Sequence, residues 1–282
     1  MATEGTSALA GWSSFELVRW GREIVQHEAQ TLLTLSDTID QDFADAAQRV
    51  LACQGSIVVS GMGKAGLIGQ KISATLCSTG TRSHFLHPAE ALHGDLGRVA
   101  ADDIALVLSQ SGETAEITRL LPALETIGAA VIAITASRES SLGKAAEIVL
   151  ELGSIEESGP NRLAPSASTT AMLALGDALA LAVSRAGGFG PEDFVRFHPG
   201  GSLGLRLSLV DDVLRGIEQC RVALESQRVR DVFVIASRPG RRTGAIMLTD
   251  DEGRLTGFFT DSDLARRLEH RKDQAIDQPI RE

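Results

Sequence analysis

Two short segments place small and hydroxyl-bearing residues where an anion can be held. Ser109-Gln110-Ser111-Gly112-Glu113-Thr114 follows an apolar run and leads into a helical pattern. A strand end feeding a helix start exposes unpaired backbone N–H groups and the positive end of the helix dipole. With the hydroxyls of Ser109, Ser111 and Thr114 added, the segment can cradle a phosphate without a lysine. The same residues also suit a plain helix cap around a tight turn. Ser60-Gly61-Met62-Gly63-Lys64 is built alike and brings a cation for substrate oxygens. Gly61 and Gly63 lack the third glycine of a dinucleotide fingerprint and the spacing of a P-loop, which argues against a nucleotide. A third hydroxyl cluster, Ser166-Ala167-Ser168-Thr169-Thr170, opens a helix. It follows a loop shaped by glycine and proline that carries Glu156 and Glu157.

Histidines supply the remaining candidate chemistry. His84, His87 and His93 lie around Pro88-Ala89-Glu90-Ala91-Leu92, but His87 and His93 lack the i, i+4 spacing of a helical zinc pair. His198 precedes Pro199-Gly200-Gly201, a backbone-permissive loop. Carboxylates and imidazoles whose surroundings separate their pKa values can share proton transfers.

These segments need elements to hold them. Residues 14–52 show helical spacing without proline. Ile57-Val58-Val59, Ile104 to Leu108, Val131 to Ile134 and Ile148 to Leu150 are short strand-like runs, and Ser83-His84-Phe85 is a less regular one. Helical stretches follow at Leu67 to Cys77, Ala115 to Ile127 and 166–187. Short apolar strands alternating with helices predict an α/β fold, a doubly wound parallel sheet covered on both faces. Ligands in such folds sit beyond the carboxyl ends of the strands, where the glycine- and serine-rich segments fall. The character changes near residue 210, so 1–210 reads as one domain and 211–282 as a small α+β segment. In that segment residues 211–237 look helical or mixed, Gly244 to Leu248 and Thr256 to Phe259 look like strands, and Leu264 to Glu269 a helix.

Bulk properties exclude several classes. The 282 residues carry a net charge of -10, which disfavours a nucleic-acid partner because phosphate contacts need a concentrated basic face. Three scattered cysteines fit a reducing compartment without disulfides or a cysteine zinc site. No secretion signal is visible, and no run reads as long and apolar enough for a membrane. A cytoplasmic protein is expected.

Taken together, Gly61-Met-Gly-Lys-Ala-Gly66, His87-Pro-Ala-Glu-Ala-Leu-His-Gly-Asp-Leu-Gly97, Leu108-Ser-Gln-Ser-Gly-Glu-Thr-Ala-Glu-Ile117, Leu163-Ala-Pro-Ser-Ala-Ser-Thr-Thr170 and His198-Pro-Gly-Gly-Ser-Leu-Gly204 resemble the sugar isomerase (SIS) domain family. They are most similar to its arabinose-5-phosphate isomerases, over roughly residues 15–210. The resemblance implies a flavodoxin-like αβα sandwich and interconversion of D-ribulose 5-phosphate and D-arabinose 5-phosphate, the entry to Kdo and lipopolysaccharide synthesis. It implies catalytic positions at Lys64, His93, Glu116, Glu157 and His198. Substrate contacts are implied at Ser60, Gly61, Gly63, Ser109, Ser111, Thr114, Ser168 and Thr169. In this scheme Glu157 is the C–H base, His198 opens the ring or relays protons, Lys64 and His93 serve substrate oxygens, and Glu116 orients the site or shares acid/base work. His84 and His87 are structural. The family also implies a homotetramer with active sites near subunit contacts. No cofactor or metal is required, although His93 and His198 could take up zinc adventitiously. A non-catalytic sugar-phosphate sensor and an isomerase of another phosphosugar are the competing readings.

Gly257-Phe-Phe-Thr-Asp-Ser-Asp-Leu-Ala-Arg266 resembles a CBS motif, in which Thr260 and Asp263 would contact ribose or phosphate of an adenine nucleotide. Gln278-Pro279-Ile280-Arg281 resembles the opening of a second motif, and a ligand-free packing unit is the alternative.

Overall fold

Short runs that are apolar on both faces are satisfied only by a sheet with helices on each side, and the chain builds that arrangement. The computed structural model describes residues 11–198, 210–214, 216–235, 244–269 and 276–280. Five strands, β1 (Ile57–Gly61), β2 (Ser83–Phe85), β3 (Ile104–Leu108), β4 (Ala130–Thr135) and β5 (Ile148–Glu151), pair in parallel in the order β2-β1-β3-β4-β5. The helices of this unit are α1 (Ser14–Asp37), α2 (Gln41–Leu51), α3 (Gly63–Ser78), α4 (Pro88–Ala91), α5 (Ala115–Ile127), α6 (Ser141–Ala145), α7 (Ala167–Ala186) and α8 (Pro191–Phe197).

The period-two alternation of each strand sorts its side chains between two cores. Ile57, Val59, Ile104, Leu106, Leu108, Ile132 and Ile134 pack with residues of α1, α2, α3 and α7. Val58, Ala105, Val107, Val131 and Ala133 pack with α4, α5 and α6 on the other face. Helix α3 begins at Gly63, a turn earlier than its glycine content predicts. Glycine weakens a helix by about 1 kcal/mol against alanine, but here it admits close packing. A Cβ on Gly66 would lie 2.5 Å from the Gly61 carbonyl oxygen, and one on Gly176 would run into the Ile72 side chain.

Helix α7 corrects the reading that no segment is long and apolar enough for a membrane, since its 20 residues pass on length and hydropathy. Half of that stretch is buried within the unit. Asp177 in its middle pairs with Lys71 of α3 and accepts from the Thr75 hydroxyl at 3.2 Å. It is the core helix of this layer.

The chain divides into two compact units, Met1–Leu207 and Ser208–Glu282. In the second, β6 (Val222–Leu224) runs parallel to β7 (Ala245–Thr249), which pairs antiparallel with β8 (Leu255–Thr260). Sequence periodicity missed β6, which is only 3 residues long. Val229, Val232, Ile246, Leu248, Phe259 and Ile280 make its core. Thr260 and Asp263 bond each other: the Thr260 amide and hydroxyl donate to the Asp263 carboxylate at 2.9 and 2.6 Å, and the Asp263 amide donates back at 3.2 Å. That is a capping box at the start of the helix Asp261–Glu269.

Candidate active site

The order of strands reverses between β1 and β3, and a doubly wound sheet opens its ligand crevice beyond the carboxyl ends at that point. A cleft of about 700 Å³ lies there. Lys64 enters it from the first turn of α3, and Ser109, Ser111 and Thr114 from the loop between β3 and α5. Glu157 comes from the loop after β5, and Ser168 and Thr169 from the first turn of α7.

The Ser109–Thr114 loop is fixed from below. Gly112 has φ +67°, and a Cβ there would fall on the Ser140 hydroxyl, so a side chain is excluded on both grounds. The Ser109 and Thr114 hydroxyls lie 3.0 Å apart, and Ser109 also accepts from the Gly112 amide at 3.2 Å. The Glu113 carboxylate accepts from the amide and hydroxyl of Ser141 at 2.7 Å each, tying the loop to the start of α6. Those bonds hold the Glu113 carboxyl below its ordinary pKa. Ser111 is exposed at the cleft, its hydroxyl oxygen accepting from the Glu113 amide at 3.2 Å.

Glu157 sits at the start of α7. It accepts from the Ser166 amide at 2.7 Å, from the Ser168 amide at 3.2 Å and from the Ser168 hydroxyl. Burial pushes its carboxyl up, but the bonds from Ser168 and Ser166 outweigh burial and leave the pKa lowered. The group is therefore a fixed anion at neutral pH. Ser168, 1% exposed, lines the cleft and donates its hydroxyl to Glu157.

Other expected residues lie elsewhere. Ser60 is 1% exposed, its hydroxyl donates to the Leu86 carbonyl at 2.8 Å, and it does not line the cleft. Gly61 and Gly63 shape the β1–α3 junction but do not line the cleft, whereas Met62 between them does. His93 is exposed after α4, and Glu116 lies in the first turn of α5; neither lines the cleft. His198 closes α8, stacked on Phe194 with ring centres 3.8 Å apart and its Nδ1 2.9 Å from the Phe194 carbonyl oxygen. Pro199 to Gly204 lie outside the described residues. His84 and His87 are half-buried, in β2 and at the start of α4. Burial, reinforced by Arg98 and opposed by Asp103, lowers the His84 pKa and keeps its ring neutral.

Among the described residues no three metal-ligating side chains gather. Sequence reasoning did not single out Gln110, Ser137 and Ser154, all on the cleft wall. Ser137 and Ser154 follow β4 and β5, so the carboxyl-end rule was the available signal.

The SIS domain family matches residues 50–182. The chain is 43% identical over 265 residues to arabinose 5-phosphate isomerase KdsD of Pseudomonas aeruginosa, covering 94% of this chain and 79% of that protein. It is 44% identical over 250 residues to arabinose 5-phosphate isomerase KpsF of Escherichia coli, covering 88% and 78%. Among solved structures, the protein c3406 of E. coli CFT073 in complex with arabinose 5-phosphate matches with a TM-score of 0.65 at 39% identity, over 67% of this chain and 100% of that one. Identity of this depth over most of both chains makes this protein a member of the arabinose 5-phosphate isomerase family, built on a SIS domain.

Proposed function

We propose that the cleft interconverts D-ribulose 5-phosphate and D-arabinose 5-phosphate through a cis-enediol. The observation that carries this reading is the convergence of Glu157, Lys64 and the Ser109–Thr114 loop on one cleft. Glu157 removes the proton from C2 of the aldose. The C–H electrons become the C1–C2 double bond, and the C1 oxygen takes up negative charge. Lys64 stabilises that oxygen, and such stabilisation acts where charge develops. Transfer of the O2 proton to O1, through the cis-enediol, and return of the abstracted proton to C1 then yield the ketose. The phosphate rests on the N-terminus of α5, where Ser109, Ser111 and Thr114 add donors.

His93, Glu116 and His198 reach the substrate from a neighbouring copy in a homotetramer, which accounts for their position off the cleft of one chain. The protein works in the cytoplasm and feeds Kdo and lipopolysaccharide synthesis. Adenine-nucleotide binding at Thr260 and Asp263, as the CBS resemblance implies, would compete with the capping-box bonds those residues make to each other.

The test is turnover of ribulose 5-phosphate by the purified chain, followed as appearance of arabinose 5-phosphate. Tight binding of either sugar phosphate without turnover would replace the enzyme with a sugar-phosphate sensor. Turnover of a longer phosphosugar in preference would reassign the substrate.

A further inference from the structure

Glu157 belongs to the walls of two cavities. Besides the substrate cleft, it lines a second cavity of about 680 Å³ together with Ser158 and, from α1, Ile24 and His27. On that side the His27 Nδ1 lies 2.9 Å from the Ser158 hydroxyl, across 131 residues of sequence. Ser158, 8% exposed, donates its amide to the Ser166 hydroxyl at 3.1 Å, and Ser166 in turn donates its amide to Glu157.

Among the described residues the loop 154–165 has few other anchors. Its remaining polar contacts to them run within the loop, as in the Arg162–Glu156 ion pair, or to the start of α7. Asn161 and Arg162 both adopt positive φ, at 63° and 52°, a conformation that asparagine tolerates and that strains arginine. Such a loop keeps its shape only when its surroundings over-determine it. The His27–Ser158 contact supplies that determination from a separate element, a 24-residue helix with a capping box of its own.

We propose that His27 is a positioning residue for the reaction: through Ser158 it clamps the loop that presents Glu157 to the substrate cleft. This rests on the reading of Glu157 as the base. A base displaced by about 1 Å loses on the order of a hundredfold in rate, while the phosphate site on α5 is untouched, so the effect belongs in kcat and not in KM.

The experiment uses the full chain with His27→Ala, Ser158→Ala, the double variant and His27→Asn. Each is assayed for kcat and KM and by hydrogen exchange of the peptide holding the Ser166 and Ser168 amides. Expected are a kcat lower by about tenfold or more with KM within about twofold, and faster exchange at those amides. The double variant should match either single variant, and His27→Asn, which keeps an atom near the Nδ1 position, should recover much of the rate. Wild-type kcat, or unchanged exchange, in both single variants overturns the clamp. Full turnover by Glu157→Gln would sink the base assignment alone, and the exchange data would still decide whether His27 holds the loop.

Discussion

Replacing Glu157 by glutamine separates the charge of this residue from its shape. The amide oxygen can keep the two backbone bonds, now 2.7 Å from Ser166 and 3.2 Å from Ser168. The amide nitrogen can donate to the Ser168 hydroxyl, which turns from donor to acceptor. What disappears is charge. Hydrogen bonds to charged groups contribute about 1.5–3 kcal/mol and neutral ones about 0.5–1.5. A carboxylate at a helix N-terminus adds roughly 0.3–1 kcal/mol. Because the carboxylate is part-exposed, screening trims these terms, and a total loss of about 1–3 kcal/mol in stability is expected. The catalytic loss is larger: a missing general base costs about 10²–10⁴-fold, or about 2.7–5.4 kcal/mol on the barrier. The variant should therefore fold and bind the sugar phosphate with most turnover gone. Stability adds a second readout. A carboxylate with a lowered folded pKa stabilises above its unfolded value, and that contribution is lost as pH falls through the folded pKa. The wild type should lose stability on acidification over this range more steeply than Glu157→Gln. The assays are initial rates with ribulose 5-phosphate and urea unfolding at several acidic pH values. Near-wild-type kcat refutes the base role, and equal acid slopes refute the hydrogen-bonding argument for the lowered pKa.

Ser111→Ala should raise KM more than it lowers kcat, because a phosphate contact acts on ground state and transition state alike. One lost bond to a charged group costs about 1.5–3 kcal/mol, and a fall in kcat at constant KM would give the loop another task. Gly112→Ala should destabilise by roughly 2–4 kcal/mol, combining left-handed strain with overpacking against Ser140; a melting temperature within a degree of wild type would show that the loop relaxes freely. Deleting residues 211–282 should leave a folded, active assembly, since every described residue on the cleft wall precedes residue 173. Sedimentation and rate at several concentrations check this, and an inactive but intact assembly would mean the tail completes the site.

Much of the catalytic layout was readable because it depends on local rules. Lys64, Ser111 and Glu157 reach the cleft since each follows the carboxyl end of a strand, and strand ends were visible as β-branched runs ending in glycine and serine. Ser60 lies off the cleft because it sits one step before the end of β1, where the pleat still directs side chains into the packing layers. The start of α3 escaped because glycines that pack against carbonyls look in one dimension like helix breakers. Helix α7 is legible as a helix, but its apolar character over that length was underestimated. His93, Glu116 and His198 carry no local signal of where they point, since that depends on contacts beyond the chain's own strand ends. The Ser158 anchor was illegible too, because its partner lies 131 residues away.

Two helix N-termini, those of α5 and α7, open on the same cleft, and they are not equivalent. The one on α7 is already occupied by the protein's own anion, Glu157, whereas the one on α5 turns the hydroxyl residues Ser109, Ser111 and Thr114 to the cleft, and its first-turn Glu116 does not line it. On the function proposed above, a phosphate entering the cleft is repelled from one end and received at the other. The substrate would thereby be given a single sense of direction before any catalytic group acts on it. Its carbonyl end would point toward the carboxylate, and the separation of the two helix ends would become a ruler for chain length. A sugar phosphate one carbon too short would dock its phosphate correctly and leave its acidic C–H short of Glu157, bound but unreacted.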